Sequence, residues 1–505
     1  MEGTVNWKKL QNGSDIRGVA MEGIQGESVN LSKDVVEQLG KAFAQWIRLK
    51  RPNQSTYVVA VGMDSRLTGP DLKDAFACGL SAMGVDVYDC GIASTPAMFM
   101  TTVDKNYSID AGVMITASHL PFNRNGLKFF TCEGGANKSD ITEILTIAEQ
   151  NQFVTSDKKG IVKQLDYISV YSQLLVSTIR SKVKTGVDNT YPLKGLKIIV
   201  DAGNGAGGFF ADKVLAELGA DISGSQFLEP DGKFPNHVPN PEDEEAMQFI
   251  CEAVIRQKAD LGIIFDTDVD RSAMVDQDGN PINRNELIAL ISAVILDEHP
   301  DSTIVTDSIT SDGLAWFIEE HLKGEHHRFK RGYKNVINEA IRLNEAGKES
   351  WLAIETSGHA ALKENYFLDD GAFLVAKLLI KLADLRLENK TLAQLIEELP
   401  RPQESKEIRI AIKTDDFVAY GQKIIEELEN NLLPDWTKVP KNYEGIRVKC
   451  ASEDEDGWFL LRLSLHDPMI PINIESNIKG GVLKIAQRLK SLLLKYDQLD
   501  LKVFD

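Results

Sequence analysis

The chain has 505 residues, 43% of them apolar and 26% charged, and its formal net charge is −19. The length points to three or four domains, and the composition is that of a fully folded soluble protein. So acidic a surface repels nucleic acid and anionic membranes, which excludes both as expected partners; a local Arg/Lys cluster can still hold an anionic small molecule.

Taken in order, strand-like and helix-like runs alternate. TYVVAVG (56–62) precedes the helical DLKDAFACGLSAMG (71–84), and the strand-like AGVMI (111–115) follows. KIIVDAG (197–203) precedes FFADKVLAELG (209–219), which reads as a helix, and LGIIFD (261–266) and STIVTD (302–307) come later, near the amphipathic GAFLVAKLLIKLADL (371–385). This alternation is the signature of α/β domains with mixed or parallel sheets. LSAMGVDV (80–87) and LAELGADI (215–222) share a pattern in which a glycine, Gly84 or Gly219, closes a helix before the next strand. The texture changes after 402. EIRIAI (407–412), a helix near 415–431, short strands over 446–474 and a final amphipathic helix, KGGVLKIAQRLKSLLLKY, read as a smaller α+β domain. The expected domains are therefore 1–165, 166–282, 283–402 and 403–505.

Cys78, Cys90, Cys132, Cys251 and Cys450 form no CxxC pair, so neither a disulfide framework nor a zinc site is expected. A reducing compartment, the cytoplasm, is the simplest reading, with the plastid stroma as the alternative if a leader has been removed. The N-terminal MEGTVNWKKLQ has no apolar signal region. The longest apolar run, Leu287 to Leu296, is half of what a bilayer span needs.

Three segments carry chemistry. In ITASHLPFNRNGLKFF (115–130), Ser118 and His119 stand on an expected exposed turn, and Lys128 follows on the next strand. The turn is either a polar link between strands or a nucleophile with His119 and Lys128 to handle its proton and the developing charge. No G-x-S-x-G elbow surrounds Ser118, which argues against a hydrolase triad. In IIFDTDVDRSAMVDQDG (263–279), Asp266, Asp268 and Asp270 offer three hard oxygen donors at alternate positions, a set that suits Mg²⁺. Arg271 and Gln277 stand where an EF-hand needs Gly and Glu, and Arg271 beside a metal reads as a phosphate clamp. In AIETSGHAALKENYFLDDG (353–371), Glu355, Ser357 and His359 are groups that grip sugar hydroxyls, and His359 can exchange protons near neutrality. GNGAGG (203–208) satisfies a dinucleotide fingerprint on spacing. Asp201 just before it would face an incoming pyrophosphate, so its glycines read instead as a tight turn where backbones approach.

Together with DIRG (15–18), these segments occur in the order of the α-D-phosphohexomutase family, which the chain resembles over nearly its whole length. The resemblance implies four domains around a central cleft, three related α/β domains with mixed sheets and a smaller C-terminal α+β domain. It implies Ser118 as phosphoserine, with Mg²⁺ held by Ser118, Asp266, Asp268 and Asp270. Arg17, His119, Lys128 and His359 would attend the transferring group. Arg271, Gly332, Tyr333, Lys334, Glu355, Ser357, Arg462 and Ser464 would bind substrate. The implied reaction interconverts hexose 1-phosphate and hexose 6-phosphate, of glucose and/or mannose, through a hexose 1,6-bisphosphate that is both intermediate and activator. Hexose phosphates are then the expected partners, with the protein a monomer or dimer.

Two loops depart from the family's pattern. Leu120 stands where the serine loop usually has Asn, and the phosphate loop reads RLSLHDP (462–468), with Leu465, His466 and Asp467 replacing small or neutral residues. A carboxylate near a phosphate weakens its grip. The alternative is therefore a hexose (glucose) 1,6-bisphosphate synthase that recharges Ser118 from a sugar bisphosphate such as fructose 1,6-bisphosphate. A third reading is a phosphosugar-binding regulator without turnover.

Overall fold

The computed structural model describes residues 5–153, 156–464 and 467–504. The chain forms two compact units, one of residues 1–287 with 357–394 and the other of 288–356 with 395–505. Among the described residues no helix is long and apolar enough to cross a membrane.

In the first unit, β1 (Gln11–Asn12) and β2 (Asp15–Val19) form a short antiparallel pair ahead of α1 (Lys33–Lys50). That helix starts where the Ser32 hydroxyl accepts the Val35 amide, satisfying a donor the helix cannot. Its Val35, Val36, Leu39, Phe43, Trp46 and Ile47 recur at helical spacing and are all buried. There follow β3 (Val58–Met63), α2 (Gly69–Ala82), β4 (Asp86–Ile92), α3 (Thr95–Val103), β5 (Ala111–Ile115), β6 (Arg124–Thr131), β7 (Gly134–Gly135), α4 (Lys138–Gln150) and β8 (Val162–Gln164). The sheet runs β1-β2-β6-β5-β3-β4-β8, with β7 beside β6. β3 is parallel to β4 and β5, while β6 is antiparallel to β5 and β2. Every residue of β5 is buried, as in strands covered by helices on both faces.

Helices α1 and α2 touch through glycine. A Cβ on Gly79 would lie 2.2 Å from the Glu37 carbonyl oxygen and 3.0 Å from the Gly40 Cα. Neither backbone can yield without separating the helices. Gly79→Val is expected to destabilise the first unit by ~1–3 kcal/mol or more, read as a lowered denaturant midpoint; an unchanged midpoint would refute this packing.

After α5 (Tyr167–Lys182) comes a second sheet, of β9 (Ile198–Asp201), β10 (Leu261–Phe265), β11 (Ser272–Asp276) and β12 (Pro281–Ile282), with α6 (Glu244–Gln257) before β10. β9 and β10 are parallel and β10 and β11 antiparallel, so residues 266–271 form the link at one end of that hairpin. The helix expected over 209–219 differs: Phe210–Leu215 is wound in the wider π form, the Ala216 amide reaching back to the Ala211 carbonyl. The wider turn accompanies burial of the adjacent Phe209 and Phe210, whose rings meet Tyr171 and Phe265 at 6.0 and 5.2 Å. Gly84 and Gly219 both adopt positive φ, +78° and +88°, the left-handed termini expected of them.

α7 (Arg284–Glu298) carries the long apolar run. The second unit contains β13 (Thr303–Thr306), α8 (Asp312–Trp316), β14 (Glu325–Arg328), α9 (Tyr333–Glu345) and β15 (Leu352–Ile354), β13 lying parallel to both β14 and β15. The chain then supplies β16 (Ala360–Leu362), β17 (Leu368–Asp369) and α10 (Gly371–Arg386) to the first unit. It ends in the second with β18 (Glu404–Ala411), α11 (Phe417–Asn430), β19 (Trp436–Lys438), β20 (Ile446–Cys450), β21 (Gly457–Leu461), β22 (Met469–Ser476) and α12 (Gly481–Leu493). This last sheet, ordered β18-β22-β21-β20-β19, is antiparallel throughout. The fold is thus three α/β/α segments followed by the expected α+β domain.

Candidate active site

Ser118 follows β5 and, against the expectation of an exposed turn, is 4% exposed. Its φ is +52°, a left-handed conformation that costs a non-glycine residue roughly 1–2 kcal/mol. Neighbouring groups hold it there. Its amide donates to the Thr116 hydroxyl at 2.9 Å, and that hydroxyl donates to Asp64 at 2.6 Å. The Ser118 Oγ donates to Asp266 Oδ2 at 2.9 Å. Two segments 148 residues apart are therefore in direct contact.

The link between β10 and β11 supplies the acid groups. Asp266, Asp268 and Asp270 are all buried, and their carboxylate oxygens converge within 4.8 Å of one another. The turn is strained at Val269, a β-branched residue at φ +68°. The start of α10 braces it, the Gly371 amide donating to the Val269 carbonyl at 3.2 Å. A Cβ at Gly371 would sit 2.7 Å from the Arg271 carbonyl carbon, so glycine permits that approach. From the first sheet, the Thr95 amide and hydroxyl at the start of α3 donate to the Asp268 carbonyl and Oδ2 at 2.8 and 2.5 Å.

Buried carboxylates so close repel one another unless cations offset them. Lys128 on β6 donates to Asp268 Oδ2 at 2.9 Å and also to Asp270. Arg271 is 1% exposed and reaches Asp266 Oδ2 at 3.1 Å, Ser118 Oγ at 3.1 Å, Asn240 Oδ1 at 3.0 Å and His119 Nδ1 at 2.8 Å. Burial opposes its charge, but Asp266 and Asp270 outweigh that and hold the guanidinium protonated. Burial and the Asp270 charge push Asp266 well above the carboxylate range. Burial also works against Asp270, yet Lys128, His359 and Arg271 bring it below that range.

The two histidines differ. Burial, then the Arg271 and Arg17 charges, lower His119 to about 2. It is neutral, Nδ1 accepts from Arg271, and Nε2 carries the proton. His359 Nδ1 lies 2.6 Å from Asp369 Oδ2 and 3.8 Å from Asp270 Oδ1. Burial opposes its charge, but these carboxylates raise it to about 9.

The three aspartates fit a hard divalent cation. Asp268 Oδ1 and Asp270 Oδ1 are buried and have no hydrogen-bond partner, and oxygen donors of this kind are what Mg²⁺ requires. Asp266, Asp268, Asp270 and the Ser118 oxygen would hold it.

Of the remaining expected residues, Arg17 pairs with Asp15 at 2.9 Å and lies opposite Gly126 in the β2–β6 register. Ser357 begins a turn alongside the aspartate loop: Gly358 (φ +92°) approaches the Ser272 carbonyl, and His359 bridges Arg271. The Ser357 Oγ is buried without a hydrogen-bond partner. In the second unit, Glu355 accepts the Gly332 amide at 2.6 Å, and Tyr333 and Lys334 are the first residues of α9. Arg462 directly follows β21, and its Nε is buried without a partner. The Ser464 amide donates to the Met469 carbonyl at 3.0 Å, and its Oγ accepts the Asp467 amide at 3.3 Å. The substitutions at Leu465 and His466 lie outside the described residues.

The GNGAGG turn binds no phosphate with its first amides, which are used internally. Gly203 donates to Asp201, Asn204 to the Phe227 carbonyl, Gly205 to Ala202 and Ala206 to Thr267. A Cβ on Gly205 would lie 2.7 Å from the Thr267 oxygen, so this turn supports the aspartate loop by close approach. Asp201 faces His237 at 3.0 Å.

Asp64, Arg66, Thr95, Asn240 and Asp369 also shape the site and were not singled out from the sequence. Arg66 was the most discoverable, because a charged D-x-R at the end of a buried parallel strand lies where α/β sheets place functional groups.

Residues 8–155, 174–279 and 283–402 match the models of phosphoglucomutase/phosphomannomutase alpha/beta/alpha domains I, II and III, respectively. The chain is 30% identical over 480 residues to a phosphoglucomutase of Neisseria gonorrhoeae, covering 95% of each chain. It is 30% identical to a phosphomannomutase/phosphoglucomutase of Pseudomonas syringae, covering 93% of this chain and 92% of that protein. A solved phosphoglucomutase/phosphomannomutase family protein from Burkholderia thailandensis is similar with a TM-score of 0.77 and 28% identity, covering 96% of this chain and 97% of that one.

Proposed function

Because the chain belongs to the phosphoglucomutase/phosphomannomutase family, whose members are hexose-phosphate isomerases, we propose that it moves a phosphoryl group between the 1- and 6-positions of a hexose by way of Ser118. The observation that carries this reading is the contact of the Ser118 Oγ with both Asp266 and Arg271. A serine there has a carboxylate cage on one side and a fixed guanidinium on the other, the surroundings a phosphoryl group requires.

In the first half-reaction the bond between phosphorus and the Ser118 oxygen breaks, and a bond forms to the free hydroxyl of a hexose monophosphate. The hydroxyl proton is returned to the serine oxygen, where Asp266 Oδ2 stands ready to accept its hydrogen bond. In the second half-reaction the other phosphorus of the 1,6-bisphosphate parts from its sugar oxygen and bonds to the Ser118 oxygen, while the serine proton passes to the sugar oxygen that is left as a hydroxyl. Arg271 neutralises charge on the Ser118 oxygen as the phosphoryl group leaves it, and Asn240 fixes the orientation of the guanidinium. The neutral His119 presents Nε2–H as a donor, while His359, held protonated by Asp369, joins Lys128 and Arg271 as a positive group beside Asp270. Lys128 keeps Asp268 and Asp270 together. Bound Mg²⁺ would supply positive charge to offset the negative charge of the phosphoryl oxygens. Arg17, Gly332, Tyr333, Lys334, Glu355, Ser357, Arg462 and Ser464 are proposed to bind phosphate and sugar; the unpartnered Ser357 Oγ and Arg462 Nε favour this for those two.

A second reading, synthesis of hexose 1,6-bisphosphate, is favoured by the 464–469 loop. There the Ser464 and Asp467 amides are engaged within the loop, which leaves fewer donors to retain the bisphosphate. Product analysis separates the two. With glucose 1-phosphate, mannose 1-phosphate or glucosamine 1-phosphate and catalytic bisphosphate, a mutase is expected to yield the 6-phosphate. A synthase would accumulate bisphosphate in step with a consumed donor such as fructose 1,6-bisphosphate. Neither product, in the presence of Mg²⁺, would overturn both readings.

A further inference from the structure

We propose that Arg66 is a positioning residue for phosphoryl transfer, its guanidinium gathering four carbonyl oxygens of the serine loop so that the Ser118 hydroxyl faces Asp266. This rests on the reading of Ser118 as the phosphoryl carrier. Arg66 Nη2 donates to the carbonyls of Ser118 and Leu120, both at 2.5 Å, and Nη1 to those of Pro121 and Arg124 at 2.8 and 2.9 Å. Arg66 is 1% exposed, and its Nε lies 3.4 Å from Asp64 Oδ2.

Asp64 and Arg66, two residues apart at the end of β3, together hold both polar backbone groups of Ser118. Arg66 takes the carbonyl directly, and Asp64 takes the amide through the Thr116 hydroxyl. A left-handed residue between two fixed peptide planes has little freedom to rotate, so its side chain has one direction. The clamp is covered from the second sheet's side of the unit. The Phe234 ring lies 5.4 Å from the guanidinium carbon, and Gly232 is so close that a Cβ there would fall 2.4 Å from the Leu67 nitrogen. Water is thereby kept from competing for the four carbonyls.

A planar fork is essential to this arrangement. Lysine carries the same charge but offers a point donor that cannot span four oxygens. The full-length protein is compared with Arg66→Lys and Arg66→Met. The readouts are kcat and KM for hexose 1-phosphate and hydrogen exchange in the 116–126 peptide, normalised to the folded fraction. Misplacing a reacting group by about an ångström costs on the order of 100-fold. The Met variant is therefore expected to lose about that factor in kcat with KM little changed, and the Lys variant at least roughly tenfold. Exchange in 116–126 should accelerate in both, with the rest of the unit unaltered. Wild-type kcat in a folded Lys variant, or unchanged exchange in that peptide, would overturn the proposal. If Arg66→Met does not fold, Arg66→Lys decides it. Should the wild-type protein itself take no phosphoryl group on Ser118, it is the function of the loop that fails, and the exchange measurement still decides whether Arg66 holds it.

Discussion

Ser118→Ala is expected to give a folded protein that takes up no phosphoryl group and interconverts hexose phosphates ~10⁴-fold more slowly or worse. The oxygen it removes is the only atom of this residue placed to make and break a bond to phosphorus. Around it Asp266 keeps Arg271, and Arg271 keeps Asn240 and His119. The buried charges thus retain partners, and the change in stability should be limited to about 1 kcal/mol for the lost hydrogen bonds. Intact-mass measurement after incubation with glucose 1,6-bisphosphate should show one added phosphoryl group on the wild-type chain and none on the variant. A phosphoryl group retained by the alanine protein would remove Ser118 from the mechanism.

The second large effect concerns the aspartates. Chelation is expected to lower turnover by ~10³-fold or more, with recovery on adding Mg²⁺, because charge neutralisation is most of what phosphoryl transfer asks of its surroundings. A binding measurement separates the cage from activity. Mg²⁺ at a hundred times its dissociation constant should stabilise the wild-type protein by ~2.7 kcal/mol. Asp268→Ala should abolish that gain, since within the three-aspartate set the buried oxygens without a hydrogen-bond partner are Asp268 Oδ1 and Asp270 Oδ1. An equal Mg²⁺-dependent rise in melting temperature in both proteins would place the ion elsewhere.

Much of this site is readable from sequence because its reactive groups are contiguous. Ser118 and His119 are neighbours, and Asp266, Asp268 and Asp270 alternate along one loop, so spacing alone carries chemical meaning. The order of strands and helices is legible for the same reason, each being set by a local hydrophobic period. What spacing does not convey is approach. The D-x-R of Asp64-Ser65-Arg66 at a strand end hints at a functional position, but only the folded sheet shows that it lies under residues 118–124. Thr95 and Asn240 are likewise unremarkable until α3 and the segment before α6 converge on the aspartate loop. The polar neighbours of Ser118 suggest exposure, whereas its burial depends on groups far away in the chain. The π winding at Phe210–Leu215 is also hidden, since its apolar pattern is compatible with an ordinary helix.

The division of the first unit has a consequence for how the protein is made. Gly371, His359 and Asp369, which brace and charge the aspartate loop, belong to a stretch that a ribosome adds only after all of 288–356. At ~5–20 residues per second, the nascent loop waits for several seconds or more before its neighbours emerge. During that interval Val269 must hold its left-handed turn without the α10 brace, with Thr95 and Lys128 beside the loop's acid groups, or relax from it. Catalytic competence is therefore a late event in biosynthesis, and a chain truncated before α10 should lack it even though both strands flanking the loop are present.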